Sequence, residues 1–395
     1  MDMLLEAKEK VTHVFEQMVM WRRHLHEHPE LSFEEVETPL YIEKQLRKLG
    51  ITDLTTGVGG RGIVARIKGA KPGKTIAFRA DFDALPIEEE NEVAYASKVP
   101  GKMHACGHDG HTAALLGFAA IMKEQVDQLA GTIVLIFQHA EELPPGGARE
   151  MVAGGCLDGV DAIFGAHVSS HLPLGNMSCT PGAVMAAVDK FKIHIQGKGG
   201  HGAQPHTTID SIVVGSQLVN ELQTIVSRRI DPMAPAVVTV GVFQAGTAFN
   251  VIADTATIEG TVRTFDPDAR QKVEEEMRSI VSGKEQSAHV TTEIDYLNGY
   301  PTLVNSDEES AIVRNSATET LGENSVIMAP PILGGEDFAY YLTEKPGAFF
   351  HVGGRTEEEF TQFPHHHPRF DFDEQALKNI TSLFIALANH YLVKP

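Results

Sequence analysis

Two different spacings of apolar residues divide the chain. In the first part, short continuous apolar runs recur: Thr75-Ile-Ala-Phe78, Thr132-Ile-Val-Leu-Ile-Phe-Gln138 and Ala162-Ile-Phe-Gly-Ala166. Such runs predict strands covered on both faces, as in a parallel sheet. An Ala-rich segment between the first two, residues 113–122, predicts a helix with Asp109 as its cap. From about residue 186 the period changes. Phe191, Ile193 and Ile195 alternate with Lys192, His194 and Gln196, a strand with one wet face. A Gly-rich turn over 197–206 leads into a helix carrying Ile209, Ile212, Val213, Val219, Leu222 and Val226. Alternating strands at 236–243 and 255–263, a charged helix over 267–281 and a strand at 290–294 complete a βαββαβ order, the ferredoxin-like arrangement. Residues 1–50 predict two helices, the second starting near Ser32. Helices over 306–321 and 374–392 enclose a last strand, Ala348-Phe-Phe-His-Val352.

The fold class expected is α/β, a mixed and largely parallel sheet, with a smaller α+β domain inserted. The larger domain would comprise 1–185 and 297–395, and the insert 186–296. A length of 395 residues exceeds what one core usually supports, which agrees with two domains.

Composition narrows the partners. A net charge of -20 argues against nucleic acid, whose phosphates need a basic surface. No apolar run reaches the length of a membrane span. The first residues are charged and amphipathic without an apolar signal core, and three scattered cysteines (Cys106, Cys156, Cys179) give no disulfide framework, so a cytoplasmic location is expected.

The candidate chemistry gathers at strand ends, where open α/β sheets bind ligands. The runs above lead into Arg79-Ala-Asp81-Phe-Asp83, His139-Ala-Glu141-Glu142 and His167. The segment His104-Ala-Cys106-Gly-His108-Asp109-Gly-His111 adds a thiol and three imidazoles within eight positions. Cys and neutral His are strong ligands for zinc-like cations, although a helix start carrying three histidines would look the same in isolation. Adjacent Glu141 and Glu142 point apart at a strand end, so that one can bind metal while its neighbour serves as general base. The rigid Pro144-Pro-Gly-Gly147 turn that follows counts against a loose acidic loop. In His365-His366-His367-Pro368 the proline extends the preceding backbone, so neighbouring rings diverge and one ligand is expected. Cys106, His108, Glu142, His167 and one of these histidines make five ligands, more than one zinc takes. Two ions with a shared ligand are therefore expected, a site suited to hydrolysis, with Glu141 moving the proton. The histidines of Trp21-Arg22-Arg23-His24-Leu25-His26-Glu27-His28 have no spacing that singles out a ligand and read as surface or supporting groups.

Seven motifs in order resemble the M20 metallopeptidase family. They are Trp21-Arg22-Arg23-His24-Leu25-His26, Arg79-Ala-Asp81-Phe-Asp83-Ala-Leu-Pro86, the 104–111 segment, Phe137-Gln-His-Ala-Glu-Glu142, Gly199-Gly-His201-Gly-Ala-Gln-Pro-His206, Gly334-Gly-Glu-Asp337-Phe338 and His366-His367-Pro368. The match is closest to the amidohydrolase branch, which holds N-acyl-amino-acid amidohydrolases, hippurate hydrolases and auxin-conjugate hydrolases.

The resemblance implies a catalytic domain of zinc-exopeptidase type with an inserted lid that also pairs two chains into a homodimer. It implies two divalent metal ions (zinc, manganese, cobalt or nickel) held by Cys106 in the bridging position, His108, Glu142, His167 and His366. Glu141 would be the base, and Asp81 would orient or tune a ligand, a salt bridge with Arg79 being the plainer reading. His201 would reach the partner's site and stabilise the oxyanion, and Asn250, Arg263 and Gly335 would contact substrate. Ala253, His139 and Val168-Ser-Ser170 depart from the usual pattern without removing a ligand or the base. The implied reaction is hydrolysis of the amide bond of an N-acyl-amino acid. A dipeptidase or carboxypeptidase on the same scaffold is the rival, and a non-catalytic binding protein a more distant one. A zinc nucleobase deaminase is excluded, because no His-x-Glu followed by Pro-Cys-x-x-Cys occurs.

Overall fold

The computed structural model describes residues 3–393, with side chains from residue 9. It divides into two compact units: Met1–Val184, Val304–Pro330 and Asp337–Pro395 form the first, Met185–Leu303 and Pro331–Glu336 the second.

The first unit is built on a seven-stranded sheet. Its order is Leu54–Val58, Gly62–Lys68, Ala130–Gln138, Lys71–Asp81, Ala162–Pro173, Gly347–Arg355 and Met177–Ser178. The central four strands are mutually parallel and the outer ones antiparallel. The continuous apolar run of the third strand is explained by its position, with Ile133 to Phe137 all buried. Helices Met3–Glu27, His108–Lys123 and Gln375–Leu392 pack together, the latter two also against the sheet. Phe78, Phe118 and Phe384 meet between sheet and helices, with ring centroids 4.6 to 5.8 Å apart. Every residue from His108 to Ala119 is buried, so this helix is a core element with no wet face.

Three element boundaries differ from expectation. The central helix starts at His108, and its cap is Gly107, whose φ of 92° puts it in the left-handed region. Asp109 caps nothing; it lies inside the first turn and binds Arg22 and His26. The second helix starts at Glu37, because the Glu30 carboxylate accepts the N–H groups of Val36, Glu37 and Thr38 at 2.9, 3.1 and 2.8 Å. The strand reaching His167 continues to Pro173, paired with Gly347–Arg355 so that His167 faces His351 in register.

The second unit has a four-stranded antiparallel sheet in the order Ala236–Ala245, Thr255–Thr264, Ala187–Gln196 and Thr291–Asn298. Helices Ser211–Thr224 and Pro267–Ala288 cover one face, and Phe191, Ile193, Ile195, Leu218, Leu222 and Met277 fill the space between. Asp210 and Asp266 cap these helices through Ile212 N–H and Ala269 N–H at 2.9 and 2.8 Å. The unit extends past 296 to Leu303 and takes in Pro331–Glu336. Ala186 N–H anchors that segment on the carbonyls of Ile332 and Gly334, at 3.2 and 3.0 Å.

A buried ion cluster ties the first helix to the central one. Arg22 donates to Asp109 (3.1 Å), Glu374 (3.2 Å) and Asp371, with its guanidinium over the Phe372 ring. His26 binds Asp109 at 2.8 Å and Glu89 at 3.2 Å. Burial alone would lower the His26 pKa, but Asp109 and Glu89 outweigh it and lift it to about 9. Protonated His26 therefore contributes stability that is fully present below its unfolded value near 6.5 and is lost as pH rises through about 9. We expect the metal-free protein's unfolding free energy, measured by urea titration, to fall between pH 6.5 and 9.5, by at most ~3 kcal/mol from this group. His26→Gln should flatten that slope; an unchanged slope in the variant contradicts the assignment.

Candidate metal centre

Loops that follow the parallel strands, the first turn of the central helix and the strand Ala162–Pro173 bring five candidate ligand side chains of the first unit into one cluster. Cys106 Sγ lies 3.4 Å from His167 Nε2. His366 Nε2 lies 3.4 Å from Glu142 Oε2, and His108 Nε2 lies 3.7 Å from Glu142 Oε1. Two triads, Cys106–His108–His167 and Cys106–Glu142–His366, each bring their ligand atoms within 4.8 Å of one another. Cys106 belongs to both, as a ligand shared between two cations would.

The tautomers are set by backbone carbonyls. His108 Nδ1 bonds the Asp83 carbonyl at 3.0 Å, and His167 Nδ1 the Val168 carbonyl at 2.6 Å. Both rings therefore turn Nε2, unprotonated in the neutral form, toward the cluster. His111 is placed differently. Its Nε2 accepts the Val168 N–H at 2.9 Å, so its Nδ1–H donates to Asp81 Oδ1 at 2.6 Å. Of the histidine run, His367 accepts the Arg369 N–H and stacks on Phe363, and His365 accepts the Ser170 N–H. His366 alone of the three is paired with Glu142 among the described residues. It has φ of 66° and its N–H is held by the Ala105 carbonyl at 2.8 Å.

The site's electrostatics fit cations. His108 Nε2 and Glu142 Oε1 are buried without a hydrogen-bond partner, a cost that a bound cation would remove. Burial pushes His108 down, yet Asp81, Asp83 and Glu142 lift it to about 10. Burial and the charges of Glu142, Glu141 and Asp81 push the Cys106 thiol well up. Without metal, protons neutralise these groups; a thiolate–imidazole–carboxylate donor set exchanges such protons for divalent ions.

Asp81 has both of the partners weighed for it. Arg79 Nη1 binds it at 2.7 Å, and Asp81 in turn orients His111 and lies 3.6 Å from His108 Nε2. Against the effect of burial, Arg79, His108 and His111 hold its carboxyl well below the usual range. Asp83 stands two places along the same motif, where nothing in the spacing distinguishes it. Its Oδ1 and Oδ2 accept the N–H groups of Glu141 and Glu142 at 2.9 and 3.0 Å, and Ser32 Oγ donates to it at 2.6 Å. Glu141 Oε2 lies 4.0 Å from His108 Nε2.

The remaining candidates belong to the second unit. His201 is exposed, pairs with Val251 across a short two-stranded ribbon and accepts the Ala203 N–H. Asn250 is exposed and its carbonyl accepts the Gly202 N–H at 2.9 Å. Arg263 is half-buried, bonded to Thr261 Oγ1 and the Val262 carbonyl, with no ion-pair partner among the described residues. The neighbouring Asp189 is taken by Arg270, Tyr296 and the Gly299 N–H. Gly335 packs where a Cβ would run into Val188.

The model of the peptidase family M20/M25/M40 matches residues 77–390. The chain belongs to this family. As an M20 protein it is a metal-dependent hydrolase of amide bonds, with an α/β fold on a largely parallel sheet. It is 49% identical over 303 residues to the N-acyl-L-amino acid amidohydrolase of Geobacillus stearothermophilus, covering 77% of this chain and 82% of that one. It is 41% identical over 381 residues to thermostable carboxypeptidase 1 of Saccharolobus solfataricus, covering 96% of each. The crystal structure of Bacillus subtilis YXEP, a dinuclear metal binding peptidase from the M20 family, superposes with a TM-score of 0.81 at 39% identity, covering 95% of this chain and 98% of that one.

If the two triads each hold an ion, Glu142→Ala should reduce tight zinc binding from two equivalents per chain to one, measured by titrating stripped protein against a chromophoric chelator. Two undiminished equivalents would remove Glu142 from the ligand set.

Proposed function

We propose that this M20 enzyme hydrolyses the amide bond of N-acylated amino acids, releasing a carboxylic acid and the free amino acid. The observation that carries the reading is the pair of adjacent carboxylates at the end of Ala130–Gln138. Glu142 reaches His366 and His108, while Glu141 stands beside the cluster with its N–H pinned by Asp83. Cys106, His108, Glu142, His167 and His366 would hold two divalent ions, zinc, manganese, cobalt or nickel. When bound, they would polarise the scissile carbonyl and acidify water.

Glu141 takes the proton from the attacking water and delivers it to the leaving nitrogen, so that an amine rather than an amide anion departs. Asp81 steadies the imidazoles behind the site through His111. Arg263, a half-buried guanidinium whose pKa burial lowers, receives the substrate's carboxylate, and Asn250 and Gly335 make further substrate contacts. His201 donates to the oxyanion in a partner chain's site.

A homodimer formed by the second unit supplies that partner. Support comes from the edge strand Ala236–Ala245, where Val242 and Phe243 are exposed alongside the exposed helix residues Ile212 and Val213. An apolar edge of this kind needs a cover. The sequence similarity to a carboxypeptidase keeps cleavage of unblocked peptides as the second reading.

The metal-loaded enzyme should cleave N-acetyl- and N-benzoyl-amino acids at least tenfold faster, in kcat/KM, than dipeptides of the same residues; the reverse order selects the peptidase. Glu141→Gln should lower kcat by about 10³ with little change in KM. Arg263→Ala should raise KM by about tenfold or more, and an unchanged KM would remove the carboxylate contact. Sedimentation should give twice the chain mass, and Phe243→Asp the single mass; a monomeric wild type overturns the dimer.

A further inference from the structure

The chain bends sharply just before Glu141. Ala140 has φ of 53°, a left-handed conformation that a residue with a Cβ keeps only when its surroundings enforce it. Three successive N–H groups at this bend donate to carboxylates. Ala140 N–H donates to Glu35 Oε1 at 2.8 Å, and the next two go to Asp83. On the far side Gly147 N–H closes onto the Ala140 carbonyl at 3.0 Å.

Glu35 is therefore the side chain that grips the strained residue itself. It is fully buried, and its Oε2 has no hydrogen-bond partner. Arg61 Nε stands 3.7 Å from that oxygen, beyond hydrogen-bond length, and the Arg61 guanidinium donates instead to the Glu35 carbonyl. Burial, with Asp83 nearby, lifts the Glu35 carboxyl to about 8 despite the backbone donors. Packing alone does not account for a carboxyl here, since an apolar side chain would fill the volume without desolvating a polar group. What an apolar side chain cannot do is accept the Ala140 N–H.

We propose that Glu35 is a positioning residue: by accepting the Ala140 N–H it holds the left-handed bend that delivers Glu141 and Glu142 to the metal centre. This rests on the roles given above to those two carboxylates. Glu35 touches neither substrate nor metal; its effect passes through the backbone of residues 140–142.

Three variants of the full chain test this: Glu35→Ala, Glu35→Gln, and Glu35→Ala combined with Ala140→Gly. Glycine adopts positive φ without strain, so the second substitution removes the need for an anchor. Each is titrated with zinc alone and assayed, at saturating zinc, on the amide that the wild type cleaves. Glu35→Ala should weaken the second zinc equivalent by about tenfold or more. It should also lower kcat by about 10²-fold, with KM within about threefold. Glu35→Gln, which keeps an oxygen acceptor on a side chain of the same shape, should retain most of both properties. Ala140→Gly in the Glu35→Ala background should recover at least about tenfold in kcat and restore the zinc affinity.

Wild-type behaviour of Glu35→Ala, loss in Glu35→Gln as deep as in Glu35→Ala, or no recovery with Ala140→Gly each overturns the proposal. If the glycine raised the urea midpoint of Glu35→Ala without recovering kcat and zinc affinity, the loss would be one of general stability and the proposal would likewise fall. A wild type that prefers dipeptides, or cleaves neither class, would sink the substrate reading while the zinc titration still judges Glu35.

Discussion

The Asp83 carboxylate is the interaction on which the metal centre depends. It accepts the N–H groups of Glu141 and Glu142 and the Ser32 hydroxyl, and its Oδ1 lies 3.3 Å from His108 Nδ1. Burial alone would make the charge costly, but His108, Ser32 and the backbone donors hold the carboxyl below its usual value. One buried anion thus fixes the segment that carries Glu142, a proposed ligand, and Glu141, the proposed base, and it also touches the ring of His108, a second proposed ligand. That economy explains why the site can be stiff although its residues come from distant parts of the chain.

Further anions and cations stiffen the layer behind. Arg79 bridges Asp81 and Asp337 at 2.7 and 2.9 Å, and Gln138 donates to Asp337 while accepting from Arg79. Arg79 holds Asp81 low together with His108 and His111, whereas burial still raises Asp337, to about 6. Arg22 and His26 perform the corresponding task for Asp109 at the start of the central helix. Each of these carboxylates is matched to particular donors, so the imidazoles of the cluster rest on a layer fixed by ion pairs and hydrogen bonds.

Most of the architecture was legible along the chain because parallel strands buried on both faces leave unbroken apolar runs, as at Ile133 to Phe137. The ends of the apolar runs pointed to the candidate site for the same reason, since Asp81, Glu141, Glu142 and His167 interrupt those runs with ionisable groups, although the strand carrying His167 continues to Pro173. What escaped was set by backbone shape or by distant contacts. The central helix is capped by the conformation of Gly107, which no side-chain pattern announces, and Asp109 was misread because it resembles a cap. Asp83 and Glu35 act on N–H groups more than fifty residues away, contacts that exist only once Lys71–Asp81 has paired with Ala130–Gln138. The attachment of Pro331–Glu336 to the second unit is equally non-local.

The proposed centre joins five side chains around two ions. The direct measurement is anomalous diffraction at the zinc edge from crystals of the zinc-loaded protein. Two peaks about 3.5–4 Å apart, both within bonding distance of the Cys106 sulfur, are the predicted result. A single peak, or peaks that leave Cys106 or Glu142 uncoordinated, would contradict it.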